Sequence, residues 1–184
     1  MPWKWLVFVV LTIPIIYVSW ASLRNPRSHG FYRFFAWECI LGLFLLNVDH
    51  WFESPFAPWQ LVSWILLLLS IVPVVWGTLL LRKRGRPVEK RPEDPSLLAF
   101  EKTTQLVTTG IYRYIRHPLY CSLLLLAWGM FFKVPSWNGV FLAFAASLFL
   151  VATARADEVE CIQFFGQQYR DYMRKTRMFI PYIF

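Results

Sequence analysis

The chain has 184 residues, of which 57% are hydrophobic, 19% aromatic and only 16% charged, a balance that excludes an ordinary soluble domain and reads as an integral membrane protein. Its formal charge of +8 comes from basic residues clustered beside apolar runs, which fits membrane topology, and no nucleic-acid partner is expected. The three cysteines, Cys39, Cys121 and Cys161, fall in or beside apolar segments without metal-ligand spacing, so neither a disulfide framework nor a metal site is indicated.

Trp5 to Leu23 is uncharged and long enough to cross a bilayer, with Pro14 as a kink; it is expected to be a retained span. Arg24, Arg27 and Arg33 follow in a loop, and Phe34 to Val48 forms a short second apolar segment containing Glu38, which should snorkel, pair with Arg33 or act directly. The next loop, Asn47 to Pro58, carries Asp49, His50 and Glu53 but no lysine or arginine. Trp59 to Leu81 is a third span with Pro73 inside it. The basic run from Arg82 to Arg86 then opens a proline-containing linker, Arg82 to Thr104, expected to be a loop.

Gln105 to Tyr120 gathers Arg113, Arg116 and His117 with three tyrosines in front of an apolar run. Pro118 disfavours the α region at His117, while its own fixed φ suits the first position of a helix, so a helix is expected to begin there. The helix start, flanked by Arg116 and His117, would receive a carboxylate or phosphate; the same residues would also serve as a charged anchor of a membrane helix. Pro118 to Phe132 and Val134 to Ala154 read as a tight hairpin with Lys133 at its turn. From Arg155 to Tyr172 the chain is amphipathic. On a continuous helix Glu158, Cys161, Phe165, Tyr169 and Tyr172 would share roughly one quarter of the circumference, with Gly166 able to break it. That face suits a site, and equally an interfacial helix resting on lipid.

Positive charge then sets the topology: amino terminus outside, five spans, and the linker and carboxyl terminus on the cytoplasmic side. The expected fold is an all-α polytopic membrane protein. It forms a single membrane domain over residues 1–184, with three spans in 1–81, a cytosolic linker in 82–117, a hairpin in 118–154 and an amphipathic helical segment in 155–184. The Gln105 to Tyr120 stretch and the Arg155 to Tyr172 helix flank one hairpin and so emerge on one face.

Leu106-Val-Thr-Thr-Gly110, Tyr112, Arg116-His-Pro118 with Tyr120, Asp157-Glu158 ahead of Phe165-Gly166, Tyr169, Tyr172 and the closing Ile180-Pro181 together resemble the membrane methyltransferases that include isoprenylcysteine carboxyl methyltransferases and phospholipid N-methyltransferases. The resemblance covers Thr104 to the end of the chain. It implies an S-adenosylmethionine pocket on the cytosolic face, with Thr104, Gln105, Leu106, Val107, Tyr112, His117, Pro118, Leu119, Tyr120 and one of Asp157 and Glu158, chiefly Glu158, against the cofactor. Arg116 joins this set as part of the anion site, Glu158 would meet the cofactor's positive groups, and Arg155 resembles the family position facing the acceptor. Thr104 stands where isoprenylcysteine enzymes have histidine, Cys121 where glycine is frequent, and Asp157 where the first acid is often glutamate; these departures bear on the substrate more than on the cofactor. The implied activity is S-adenosylmethionine-dependent methyl transfer to a lipid or lipidated acceptor in the membrane, either an isoprenylcysteine-like carboxylate or a phospholipid amine. The alternatives are a sterol-reductase-like oxidoreductase using a dinucleotide and a non-catalytic membrane component with a degenerate pocket.

Overall fold

A computed structural model describes residues 2–86 and 103–182, and among these the regular structure is helical. Six α-helices follow one another: α1 Pro2–Leu23, α2 His29–Asn47, α3 Pro58–Arg84, α4 Pro118–Phe131, α5 Trp137–Phe165 and α6 Gln167–Lys175. Most of the expected linker, residues 87–102, lies outside the described residues.

Four helices, α1, α2, α3 and α5, are long and apolar enough to cross a membrane. The expected fourth of five spans, α4, has 14 residues. At 1.5 Å per residue it extends about 21 Å, short of a hydrocarbon core of roughly 30 Å. The architecture is thus an all-α polytopic membrane bundle in which α4 is a short, apolar member.

Three boundaries differ from the sequence reading, each for a local reason. α2 starts at His29 because Ser28 caps it, its side chain accepting from Phe31 N, and Arg33 therefore lies within the helix, buried with its guanidinium over Trp37. α3 keeps Arg82, Lys83 and Arg84 in its last turn, where cations meet the negative end of the helix dipole. The amphipathic segment begins as the continuation of α5, and the chain breaks at Gly166, whose φ of 59° is readily open to glycine.

Packing runs chiefly through α2 against α5 and α3 against α4, with α1 laid on α2. The main core joins Ile40 and Leu43 of α2, Ala127, Met130 and Phe131 of α4, and Ala143 and Ala146 of α5. A second cluster, nearer the polar end, packs Ala36, Tyr120, Leu150, Ala154 and Phe179. α3 and α4 approach closely through small residues: Ser63 Oγ donates to Gly129 O at 2.7 Å, and a Cβ on Gly129 would stand 2.9 Å from the Leu67 side chain. Glu38 ties α2 to α1 at this depth: its Oε2 accepts from Thr12 Oγ1 at 2.8 Å, while its buried Oε1 has no hydrogen-bond partner among the described residues.

The two ends of the bundle are different. At one, Lys4 pairs with Asp49 at 2.7 Å. Lys133, read from sequence as the mere end of a span, is fully buried there, its Nζ 3.1 Å from Gln60 Oε1 and 3.3 Å from the centroid of the Trp64 ring. The opposite end gathers the motif loop, the start of α4, the end of α5, and α6.

Candidate functional site

The site begins with the constraint at Pro118. Proline occupies the first turn of α4, and His117 before it takes φ −122° and ψ 62°, outside the helical region. The tail after α6 then pairs with this extended stretch. Ile115 and Arg177 form a parallel bridge; Arg116 N donates to Arg177 O at 2.8 Å, His117 N to Met178 O at 3.2 Å, and Arg177 N to Tyr114 O at 3.1 Å. Phe179, buried in this clip, lies 6.2 Å from the His117 ring, which stacks on Tyr120 at 5.4 Å. Tyr172 of α6 donates its hydroxyl to Tyr112 O at 2.6 Å, closing the same corner.

Between these elements lies a cavity of about 200 Å³. Of the residues singled out from sequence, Leu106, Val107, Tyr112, Arg116, His117, Pro118, Leu119, Tyr120 and Asp157 line it, and so do Cys161, Phe165, Tyr169 and Tyr172 of the amphipathic face. Thr104 and Gln105 do not: both are exposed, their backbone amides donating to Gly85 O, while the buried Thr103 beside them forms part of the wall. Arg155 is exposed and stands outside the lining, and Glu158 is buried behind the wall. Glu160, to which the sequence reading gave no role, lines the cavity together with Gln163 and Phe164.

The polar groups form one connected, alternating series. Arg116 places Nε and Nη2 each 2.7 Å from Glu158 Oε1, and its Nη1 donates to Thr176 O at 2.6 Å. His117 stands between two carboxylates, Nε2 at 3.3 Å from Glu158 Oε1 and Nδ1 at 3.3 Å from Asp157 Oδ2. Cys161 Sγ donates to Asp157 Oδ1 at 3.6 Å. On the far side, His29 at the start of α2 donates its backbone N–H to Glu160 Oε1 at 2.8 Å, and its Nδ1 lies 2.5 Å from Glu160 Oε2. Ligating atoms of His29, Asp157 and Glu160 all fall within 4.8 Å of one another, the kind of set that could hold a cation. In order, the series reads Arg116, Glu158, His117, Asp157, His29, Glu160.

Burial alone would lower the His117 imidazole, but hydrogen bonds to Asp157 and Glu158 and their charges outweigh it and raise its pKa above the ordinary 6.5. Burial raises the phenols of Tyr169 and Tyr172 well above their usual range, so both remain protonated donors. The site therefore offers a helix amino terminus, two carboxylates on its α5 wall and several aromatic faces. Such a set can receive an anion and a cation in one molecule.

A family model described as phospholipid methyltransferase matches residues 59–168. The chain is 27% identical over 158 residues to a methanethiol S-methyltransferase of Crocosphaera subtropica, which covers 82% of this chain and 55% of that protein. It is 24% identical over 149 residues to a probable protein-S-isoprenylcysteine O-methyltransferase of Oryza sativa subsp. indica, covering 79% of this chain and 77% of that protein. It is 25% identical over 171 residues to the protein-S-isoprenylcysteine O-methyltransferase of Dictyostelium discoideum, covering 88% and 70%. No solved structure matches the chain with significance. The family match takes in more than half of the chain, from α3 through the motif loop and α4 to the end of α5, and the chain belongs to the phospholipid methyltransferase family, a methyltransferase set in a membrane bundle.

Proposed function

We propose that the chain transfers a methyl group from S-adenosylmethionine to a lipid-like acceptor resident in the membrane. The observation that carries this reading is the meeting, in one cavity, of Leu106, Val107, Tyr112, the first turn of α4 and Asp157. The residues fit the cofactor's groups. The start of α4, with its positive dipole end, suits the cofactor's carboxylate. Asp157 suits its ammonium, and the faces of Tyr120 and Tyr169 suit a sulfonium or an adenine, a contact of order 1 kcal/mol or more when desolvated.

Bound S-adenosylmethionine supplies an electrophilic methyl on a positive sulfur. The chain's own part is to orient and to dry. Leu106, Leu119, Phe164 and Phe165 surround the cavity with apolar surface that excludes water and strengthens each charge contact within it. Arg116 and Glu158 satisfy each other, so their part in this reading is to hold the tail against the motif loop, while Asp157 takes the cofactor-facing role that the sequence gave chiefly to Glu158. With Arg82, Lys83 and Arg84 ending α3 at the cavity's end of the bundle, the positive-inside rule puts this end in the cytoplasm and the acceptor in the adjoining leaflet. The relatives named above are methyltransferases acting on methanethiol or isoprenylcysteine, which favours methyl transfer over a dinucleotide-dependent reduction.

Calorimetry of S-adenosylhomocysteine with the detergent-solubilised chain tests the proposal. Binding by the wild type, weakened about tenfold by Asp157→Asn through loss of a charge-assisted contact, is expected. Absence of any binding heat with the folded wild type overturns it.

A further inference from the structure

We infer that a second hollow at the polar end of the bundle holds the phosphate group of an anionic membrane lipid, apart from the cavity assigned to the methyl donor. The inference rests on the membrane bundle and not on the methyl-transfer reading.

The hollow, about 210 Å³, opens where three pieces of chain converge: the 3-10 turn Gly110–Arg113 of the motif loop, the last turn of α6, and the tail that follows it. It shares no lining residue with the cavity described above. Four exposed cations line it, Arg113 from the first piece, Arg174 and Lys175 from the second and Arg177 from the third, and among the described residues no carboxylate does. The acid nearest to this set, Asp171, stands 3.6 Å from Arg174 with both side chains more than half exposed, a surface pair of the kind that contributes little. Arg116 differs, because Glu158 at 2.7 Å already neutralises it.

The pairing that builds the cavity wall also gathers these cations. Arg116 N on Arg177 O and Arg177 N on Tyr114 O hold Arg177 beside the motif loop, and the Tyr172 hydroxyl on Tyr112 O holds the end of α6 against it. Like charges fixed in one hollow repel one another, and a counter-anion relieves them. A phosphate, with several oxygens to accept at once, matches the donor forks of three arginines. The surroundings favour a lipid as its carrier. Tyr114 and Tyr182 line the same hollow, 44% and 81% exposed with ring centroids 6.4 Å apart, and Ile180 of the tail is exposed as well. Exposed tyrosines among arginines are the pattern of a membrane–water interface. Tyr114 precedes Pro118, where apolar α4 starts, by so few residues that at most about 14 Å of chain separates the two, which puts the hollow within reach of the headgroup layer. A free phosphate would meet the cations and leave this apolar rim unused.

The test uses the full chain in a nonionic detergent with three probes: short-chain phosphatidic acid, phosphatidylcholine of the same chain length, and inorganic phosphate. Native mass spectrometry should show one phosphatidic acid retained per chain in preference to phosphatidylcholine, and its addition should raise the thermal unfolding midpoint, as a ligand of the folded state does. Each cation beside a lipid phosphate contributes about fivefold in affinity, so the triple variant Arg113→Gln, Lys175→Gln, Arg177→Gln should lose at least about tenfold. The triple variant Arg82→Gln, Lys83→Gln, Arg170→Gln removes the same charge from exposed positions outside the hollow and should keep the wild-type preference. If the first triple does not fold, Arg177→Gln alone decides, with an expected loss of about fivefold. Equal losses in the two triples, no loss in the deciding variant, no preference for phosphatidic acid in the wild type, or an equal rise in midpoint from inorganic phosphate overturns the inference. Binding of S-adenosylhomocysteine to the same preparations tests the methyltransferase proposal separately, and its failure leaves this inference standing.

Discussion

Removing Arg116 should loosen the whole polar end of the bundle. Its guanidinium and the Glu158 carboxylate have side-chain exposures of only 9% and 11%, so both charges are desolvated and each depends on the other. Truncating one partner of such a pair leaves a buried charge without compensation, which costs about 3–5 kcal/mol. Glu158 retains His117 Nε2 at 3.3 Å, so the loss belongs at the lower bound. Against that, Arg116 Nη1 also serves Thr176 O at 2.6 Å, and losing this bond to a charged donor adds to the cost. Arg116→Met is therefore expected to destabilise by about 3 kcal/mol. The double variant Arg116→Met with Glu158→Leu removes the stranded charge and should recover more than half of that. The measurement is SDS-driven unfolding in mixed micelles for both singles, the double and the wild type. A cost for Arg116→Met below about 1 kcal/mol, the size of a solvent-exposed pair, would refute the argument that this contact is buried and essential.

His117 makes stability depend on pH in a definite direction. Its folded pKa lies above the ordinary 6.5, so its contribution is complete below that value and is lost as pH rises through the folded pKa. Thermal unfolding of the solubilised chain should show a midpoint falling from acidic toward alkaline pH, with the slope reduced in His117→Gln; parallel slopes would remove His117 from the account. At the α3–α4 contact, a Cβ on Gly129 would meet Leu67 Cδ2 and Cγ at 2.9 Å and its backbone N at 3.1 Å. Gly129→Ala should therefore cost about 1–3 kcal/mol in the same SDS titration, the range for overpacking a close contact, and a neutral result would mean that the helices can separate freely.

What the sequence made legible was local. Pro118 fixes its own φ and constrains its predecessor, so the helix start could be read to the residue. Long uncharged runs announce spans without reference to partners, which is why α1, α3 and α5 were readable, and charge spacing told which ends lie together. The partners of buried charges were not readable. Arg116 looked like a free cation for a ligand because nothing along the chain reveals that Glu158, 42 positions away, satisfies it. Lys133 resembled an interfacial stop because the ring of Trp64 beneath it comes from another helix. Glu160 drew no attention because His29, which holds it, lies 131 positions earlier at the start of α2, in a stretch with no motif of its own.

The amphipathic face shows how a right grouping can follow from an incomplete premise. Angular spacing placed Glu158, Cys161, Phe165, Tyr169 and Tyr172 together on one continuous helix, yet Gly166 ends α5 and α6 starts afresh. Four of the five still meet in the cavity wall, and Phe165 still stacks near Tyr169 with ring centroids 6.5 Å apart. Helical periodicity cannot cross that break, so the agreement needs another cause. It lies in the contacts that fix α6 from outside: the Tyr172 hydroxyl on Tyr112 O, the Arg116 guanidinium on Thr176 O, and the tail paired along residues 115–117. A glycine joint gives α6 the freedom to turn, and bonds to the motif loop decide where it stops. The same logic governs the opposite wall, where α2's first residue holds Glu160. Much of the cavity's polar wall is thus set by charges and hydrogen bonds reaching across the chain, while the apolar clusters of α2, α4 and α5 supply the scaffold against which those reaches are measured.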